Sequence, residues 1–129
     1  PGSHSFFKLH QDDNIEYYYT CPAKASKYND VEGIVAHYDG ILQEVHSEKK
    51  WYWIFDCTDF DIQHLMEYQI GIQLAKLISS KYSENLQKIC IINPNWYIYS
   101  MVTLVWPFLT FSVREEIIYD NSKKYEFEH

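Results

Sequence analysis

The sequence predicts a single α/β domain built on a mainly parallel sheet with flanking helices, and three observations carry that prediction. Apolar runs of strand character alternate with stretches at helical spacing, in the order strand, helix, strand, helix, strand, which calls for right-handed crossovers covering a shared sheet. A chain of 129 residues, 47% hydrophobic and 18% aromatic, is rich enough for one core, and no internal repeat or linker divides it. The uncharged stretch from Ile89 to Val113 is interrupted by Pro94 and Pro107. About a dozen helical residues between them reach only about 18 Å, too short to cross a bilayer.

Taken in order, Pro1-Gly2-Ser3-His4 reads as a cloning scar, leaving 5–129 as the domain. Ser5 to His10 and Ile15 to Cys21 are short β-type runs around the polar turn Gln11-Asp12-Asp13-Asn14, a hairpin or a broken edge strand. Pro22 to Asn29 is loop by composition. Asp30 then caps a helix whose Ile34, Val35, Tyr38, Ile41, Leu42 and Val45 recur at helical spacing, so one stripe seeks a sheet. Ser47 to Lys50 closes it, and Trp51 to Asp56 is the next strand.

From Asp61 to Ile78 the pattern predicts one long helix, mostly buried in girth through Ile62, Leu65, Met66, Ile70, Leu74 and Leu77. Gly71 in its middle costs about 1 kcal/mol relative to Ala, which a close helix-to-sheet contact would offset. Leu86 to Asn93 is a strand, Asn93-Pro94-Asn95 a turn, and Trp96 to Trp106 a helix apolar on nearly every face. Such a helix is buried or touches something greasy. Arg114 to Tyr119 is the last strand, and Asp120 to His129 a polar tail.

The stretch YSENLQKICIINPNWYIYSMVTLVWPFL is similar to the signature of the CRAL-TRIO lipid-binding domains, the group that includes yeast-type phosphatidylinositol transfer proteins and the retinaldehyde and tocopherol carriers. Tyr82, Glu84, Ile92-Asn93 and Pro107-Phe108-Leu109 stand at matching positions, and WIFDCTDF with the helix after it resembles the preceding strand and helix. The resemblance spans roughly Trp51 to Tyr119. It implies lipid binding without catalysis, phosphatidylinositol or phosphoinositides as the favoured class, and no cofactor beyond a bound phospholipid. It implies a lipid cleft lined by Trp96, Tyr97, Tyr99, Met101, Leu104, Trp106, Phe108 and Phe111. These are large amphipathic side chains suited to a border between oil and water.

The head-group residues carry over only in part. Glu84 holds the position of the family's glutamate, but Glu116 falls where the family has a lysine, Asn85 replaces an arginine, and Trp106 replaces the lysine before Pro-Phe-Leu. A phosphoinositide contact therefore falls to Lys81, Lys88, Arg114, Lys123 or Lys124. The chain also resembles the family's core without its helical extension or closing lid, which leads to the expectation of a homodimer covering the aromatic surface. A protein-interaction module that keeps the fold without the ligand is the alternative. An anti-sigma-antagonist-like regulatory domain would need an exposed serine after a strand, which Ser79-Ser80 does not supply.

Other chemistry finds little support. Net charge of -7 argues against nucleic acid as partner. Asp56, Asp59 and Asp61 follow an apolar strand, where a Mg²⁺ site would sit in an α/β enzyme, but the first pair is Asp-x-x-Asp with Thr58 inside it. That departs from the Asp-x-Asp-x-Thr of haloacid-dehalogenase-like phosphatases, and N-capping is the plainer role. Six histidines form no ligand set, and no nucleophile elbow or phosphate-cradling loop is present. Cys57 with His64 can be drawn as thiol and base, but Cys21, Cys57 and Cys90 read better as buried reduced thiols of a cytoplasmic protein, peripheral at membranes.

Overall fold

In the computed structural model, which describes residues 6–25 and 30–121, five strands form one sheet in the order β1-β2-β3-β4-β5. The strands are β1 (Phe6–Gln11), β2 (Ile15–Thr20), β3 (Lys50–Asp56), β4 (Leu86–Ile92) and β5 (Ile117–Asp120). β1 and β2 make the antiparallel hairpin, turned by Asp12, whose carboxylate accepts from the N–H groups of Asn14 and Ile15. β2 through β5 run parallel. Positions 1–4, Lys123 and Lys124 lie outside the described residues.

Each parallel connection carries helix. α1 (Val31–Leu42) is capped by Asp30, whose side chain accepts from Gly33 N. α2 (Ile62–Leu65) and α3 (Tyr68–Leu77) join β3 to β4, and α4 (Trp96–Val105) and α5 (Phe111–Arg114) join β4 to β5. Because every crossover steps one strand along, all right-handed connections lay their helices on one face of the sheet. Register places Tyr18, Trp53, Ile89 and Ile117 in one row across that face, with Thr20, Phe55, Ile91 and Tyr119 in the next. Ile34 and Tyr38 of α1, Leu74 of α3, Ile98 of α4 and Val113 of α5 join the same core.

Three expectations are corrected. The long helix from Asp61 is two, because Asp61 and His64 close a capping box over one short turn and Glu67 leaves helical geometry before α3 begins. A π-helical turn, Ile78–Tyr82, then extends α3 toward β4. The strand expected from Arg114 begins only at Ile117, since Phe111–Arg114 winds into α5. Finally, Gly71 meets a helix rather than the sheet: a Cβ there would lie 3.0 Å from Met101 Sδ and from Val105 Cγ1 of α4.

Candidate functional site

The helix layer does not close fully on the sheet. Between them lies an apolar cavity of about 160 Å³. Its floor is Trp53, Phe55, Ile89, Ile91 and Ile117, its side wall Ile70, Gly71, Leu74 and Ile78, and its roof Ile98, Met101, Val102 and Val105. Phe60, His64 and Glu67 border one end, and Thr20, Ile34 and Tyr38 another. An apolar cavity near 150 Å³ accepts a benzene-sized molecule, so this one, partly open to the surface, has room for a ring or a short length of chain.

The roof exists because of local chemistry around α4. Asn93 takes a left-handed conformation, φ 50°, which Asn tolerates. Asn95 then caps the helix, accepting from Ile98 N at 3.2 Å, while its amide donates to Phe60 O at 2.8 Å and fixes the helix start against the α2 segment. Pro107 ends the helix in a 3₁₀ turn, Trp106–Phe108. Arg114 donates from Nε and Nη2 to the Trp106 carbonyl, at 3.3 and 2.9 Å, beside the Leu109 N–H that the same oxygen accepts at 3.1 Å. Ser79 Oγ accepts from Thr110 N at 3.1 Å and ties this end to α3.

The two faces of α4 differ. Ile98, Met101, Val102 and Val105 recur at three- and four-residue intervals on the cavity side. Trp96, Tyr99, Thr103 and Trp106 recur likewise on the outside, Trp96 being 77% exposed. Of the eight residues expected to line a cleft, Met101 alone borders the cavity; Tyr97 packs against the core flank. Trp96, Tyr99, Leu104, Trp106, Phe108 and Phe111 are exposed, Phe111 at 72%, and Met66 of the neighbouring α2 segment at 70%. From α4 the cavity receives aliphatic side chains, while its aromatic lining comes from Tyr38, Trp53, Phe55 and Phe60. Lys76 Nζ stands 5.2 Å from the Phe108 ring and the Arg114 guanidinium 5.3 Å from the Trp106 ring, so cations sit beside the outer aromatics.

The sequence pattern of the CRAL/TRIO domain matches residues 15–129. The chain belongs to the CRAL/TRIO family. Domains of this family bind small lipophilic ligands, which supports lipid binding by this chain. No curated protein matches the chain significantly.

The head-group candidates of this CRAL/TRIO domain do not converge on the cavity. Glu84 is exposed near the start of β4. Lys88 pairs with Glu116 at 3.0 Å and Lys81 with Asp39 at 2.9 Å, while Tyr82 Oη makes a short hydrogen bond to the same Asp39 carboxylate. The Tyr82 hydroxyl first and Lys81 second hold the Asp39 carboxyl below its usual range. Arg114, beside Trp106, is the remaining candidate within the described residues.

The carboxylates resolve into structural roles. Asp56 is buried, accepting from Tyr19 Oη at 2.6 Å, from Thr58 N and Oγ1 at 3.0 and 2.7 Å, and from Asn93 Nδ2 at 3.1 Å. Burial pushes its carboxyl upward, and these bonds together outweigh that and hold it low. Asp61 caps α2 through Ile62 N at 2.7 Å, while Asp59 occupies a left-handed turn, φ 60°. The strand order never reverses, so no switch-point crevice opens above Asp56. Among the described residues no group of three or more His, Cys, Asp or Glu could hold a metal, and no helix is long and apolar enough to cross a membrane. Cys21, Cys57 and Cys90 are buried thiols, not disulfides, and burial raises the Cys57 thiol, the opposite of an activated nucleophile.

Sequence reasoning missed the floor and far wall of the cavity, Thr20, Tyr38, Trp53 and Ile89 among them. The aliphatic spacing of Ile98, Met101, Val102 and Val105 was a usable signal for the roof.

Proposed function

We propose that this domain is a non-catalytic lipid carrier or sensor that works as a peripheral protein at cytoplasmic membrane surfaces. The observation that carries the reading is the two-sided α4: an aliphatic face roofing the cavity, and an exposed face bearing Trp96 and Tyr99, with exposed Trp106 in the turn after it and exposed Phe111 in α5. Tryptophan and tyrosine favour the bilayer interface, and Lys76 and Arg114 at their side suit anionic lipid. Ligand sites for larger molecules span about 300–1,000 Å³, so admitting a full acyl chain requires α4 to move outward, which contact with the membrane would favour. Transfer between membranes, with phosphatidylinositol or phosphoinositides preferred, is the finer part of this reading. Arg114 and Lys76 support it, whereas Lys81 and Lys88 are engaged in ion pairs.

The test has two arms. Organic extraction of the purified protein followed by mass spectrometry is expected to yield a lipophilic molecule in stoichiometric amount. Flotation with phosphatidylcholine vesicles, with and without phosphoinositide, is expected to show salt-sensitive binding that Arg114→Glu weakens. Equal binding to both vesicle types removes the head-group part. No extracted lipid and no vesicle binding favours the protein-interaction module.

A homodimer seated on the same outer face is the second reading, because contiguous exposed apolar surface is uncommon on monomers and Met66, Trp96 and Phe111 are each at least 70% exposed. Light scattering of delipidated protein decides it: a dimer that Trp106→Asp dissociates assigns the face to a second copy.

A further inference from the structure

The cavity is apolar except for a few polar groups, and one hydrogen-bond donor among its lining residues has no acceptor. Trp51 and Trp53 lie on the same face of β3. Trp51 Nε1 donates to the Tyr82 carbonyl at 2.9 Å. Trp53 Nε1 is buried with no partner, the one such side-chain nitrogen or oxygen among the described residues. Trp53 is 5% exposed and lines the cavity. A buried donor left unpaired costs about 1–3 kcal/mol, so a native structure that keeps one merits an explanation.

A second donor lies nearby. Thr20 Oγ1 and Tyr38 Oη are 2.8 Å apart, both residues are buried, and both border the cavity. Two hydroxyl groups bring two protons, and the bond between them uses one. The Tyr38 ring meets the Trp53 ring edge-on with centroids 5.7 Å apart, so the two donors belong to one wall. Among the described residues neither Lys nor Arg lines the cavity, whereas Glu67 and His64 do. A carboxylate or phosphate inside would therefore be a buried charge without a counter-charge, which is strongly unfavourable.

We infer that the ligand's buried part carries a neutral oxygen acceptor, a ketone, aldehyde, ester or alcohol, that accepts a hydrogen bond from Trp53 Nε1–H. The Thr20–Tyr38 pair supplies the second donor to the same oxygen or to its other lone pair. A bare hydrocarbon leaves the indole unpaired, and a free carboxylate is excluded by charge. This inference rests on the cavity being the lipid site and adds the chemical class of what it holds.

The experiment uses three probes of benzene-like size on the full chain: cyclohexanone, methylenecyclohexane, in which C=CH₂ replaces C=O, and cyclohexanecarboxylate. The Trp53 indole ¹H–¹⁵N resonance, assigned by its loss in Trp53→Phe, reports the bond directly. Cyclohexanone is expected to move that proton downfield and methylenecyclohexane is not. Trp53→Phe is expected to weaken cyclohexanone about tenfold and to leave methylenecyclohexane within about twofold, a comparison that cancels the different hydration of the two probes. Carboxylate is expected not to bind at pH 7. Equal weakening of both neutral probes, or bound cyclohexanone that leaves the indole unmoved, overturns the inference while lipid binding stands. If no neutral probe binds up to its solubility limit, the cavity is not the site and both readings fall. Should Trp53→Phe not fold, the wild-type indole shift and the Tyr38→Phe variant, expected to weaken cyclohexanone alone, decide the matter.

Discussion

The two faces of α4 differ in side-chain type and in surroundings. The inner face, Ile98 through Val105, is branched and aliphatic and sits over Gly71, whose missing side chain lets Met101 and Val105 approach. The outer face, Trp96 through Trp106, is aromatic and meets solvent beside two cations. The difference teaches that shape and a polar handle together sort residues on such a helix. Aliphatic side chains fill a narrow space over a sheet, and amphipathic rings tolerate a boundary.

The largest test of this contrast places a charge on the inner face. Ile98→Asp puts a carboxylate at a position 2% exposed and is expected to cost more than about 3 kcal/mol, read as loss of the cooperative urea transition. If Ile98→Asp unfolds near the wild-type midpoint, the inner face is not the packed one. Next in size is Asp56→Asn. It turns an amide NH₂ donor toward the donors of Tyr19, Thr58 and Asn93, which the Asp56 carboxylate accepts, and loosens the turn that launches α4. A loss of about 1–3 kcal/mol is expected, without loss of any Mg²⁺-dependent phosphatase signal. Such a signal in wild type that vanished in the variant would make the cluster an active site.

Gly71→Val wedges methyl groups against α4 and is expected to cost about 1–3 kcal/mol while reducing retained lipid, because the roof is pushed and the wall filled. Undiminished lipid retention would separate Gly71 from the ligand space.

A smaller effect comes from His64, which stacks on Phe60 with centroids 5.3 Å apart and accepts from Asp61 N. Burial lowers its pKa below the usual 6.5 against a weaker upward pull from Asp61. The unfolded chain then takes up the proton first as pH falls. Stability is full above the unfolded value and is lost as pH drops through about 6.5 toward the folded one, by at most about 1.4 kcal/mol per pH unit. Urea midpoints at pH 7.5 and 5.5 are expected to differ more in wild type than in His64→Asn. Smallest of all in stability, Trp96→Ser on the outer face is expected to stay within about 0.5 kcal/mol yet lower vesicle binding, measured by flotation. Equal loss of both would mean that the outer face is structural.

What the sequence determined by itself is what local pattern can encode. Alternation and helical spacing predicted the order of strands and helices, and the Asn93-Pro94-Asn95 turn followed from residues that tolerate a left-handed backbone and start a helix. The family signature pointed to lipid, and the matched family agrees. Only the tertiary structure decided which side of α4 faces the sheet, because a helix apolar all round has no polar side to orient it, and its facing depends on the hollow at Gly71. The break between α2 and α3 likewise needed the Asp61–His64 box, formed by side chains whose polar character alone does not end a helix. The pairing of Lys81 with Asp39, 42 residues away, and of Lys88 with Glu116, 28 away, depends on contacts distant in the chain. So does the unpartnered indole of Trp53, since a donor lacks an acceptor only with respect to everything folded around it.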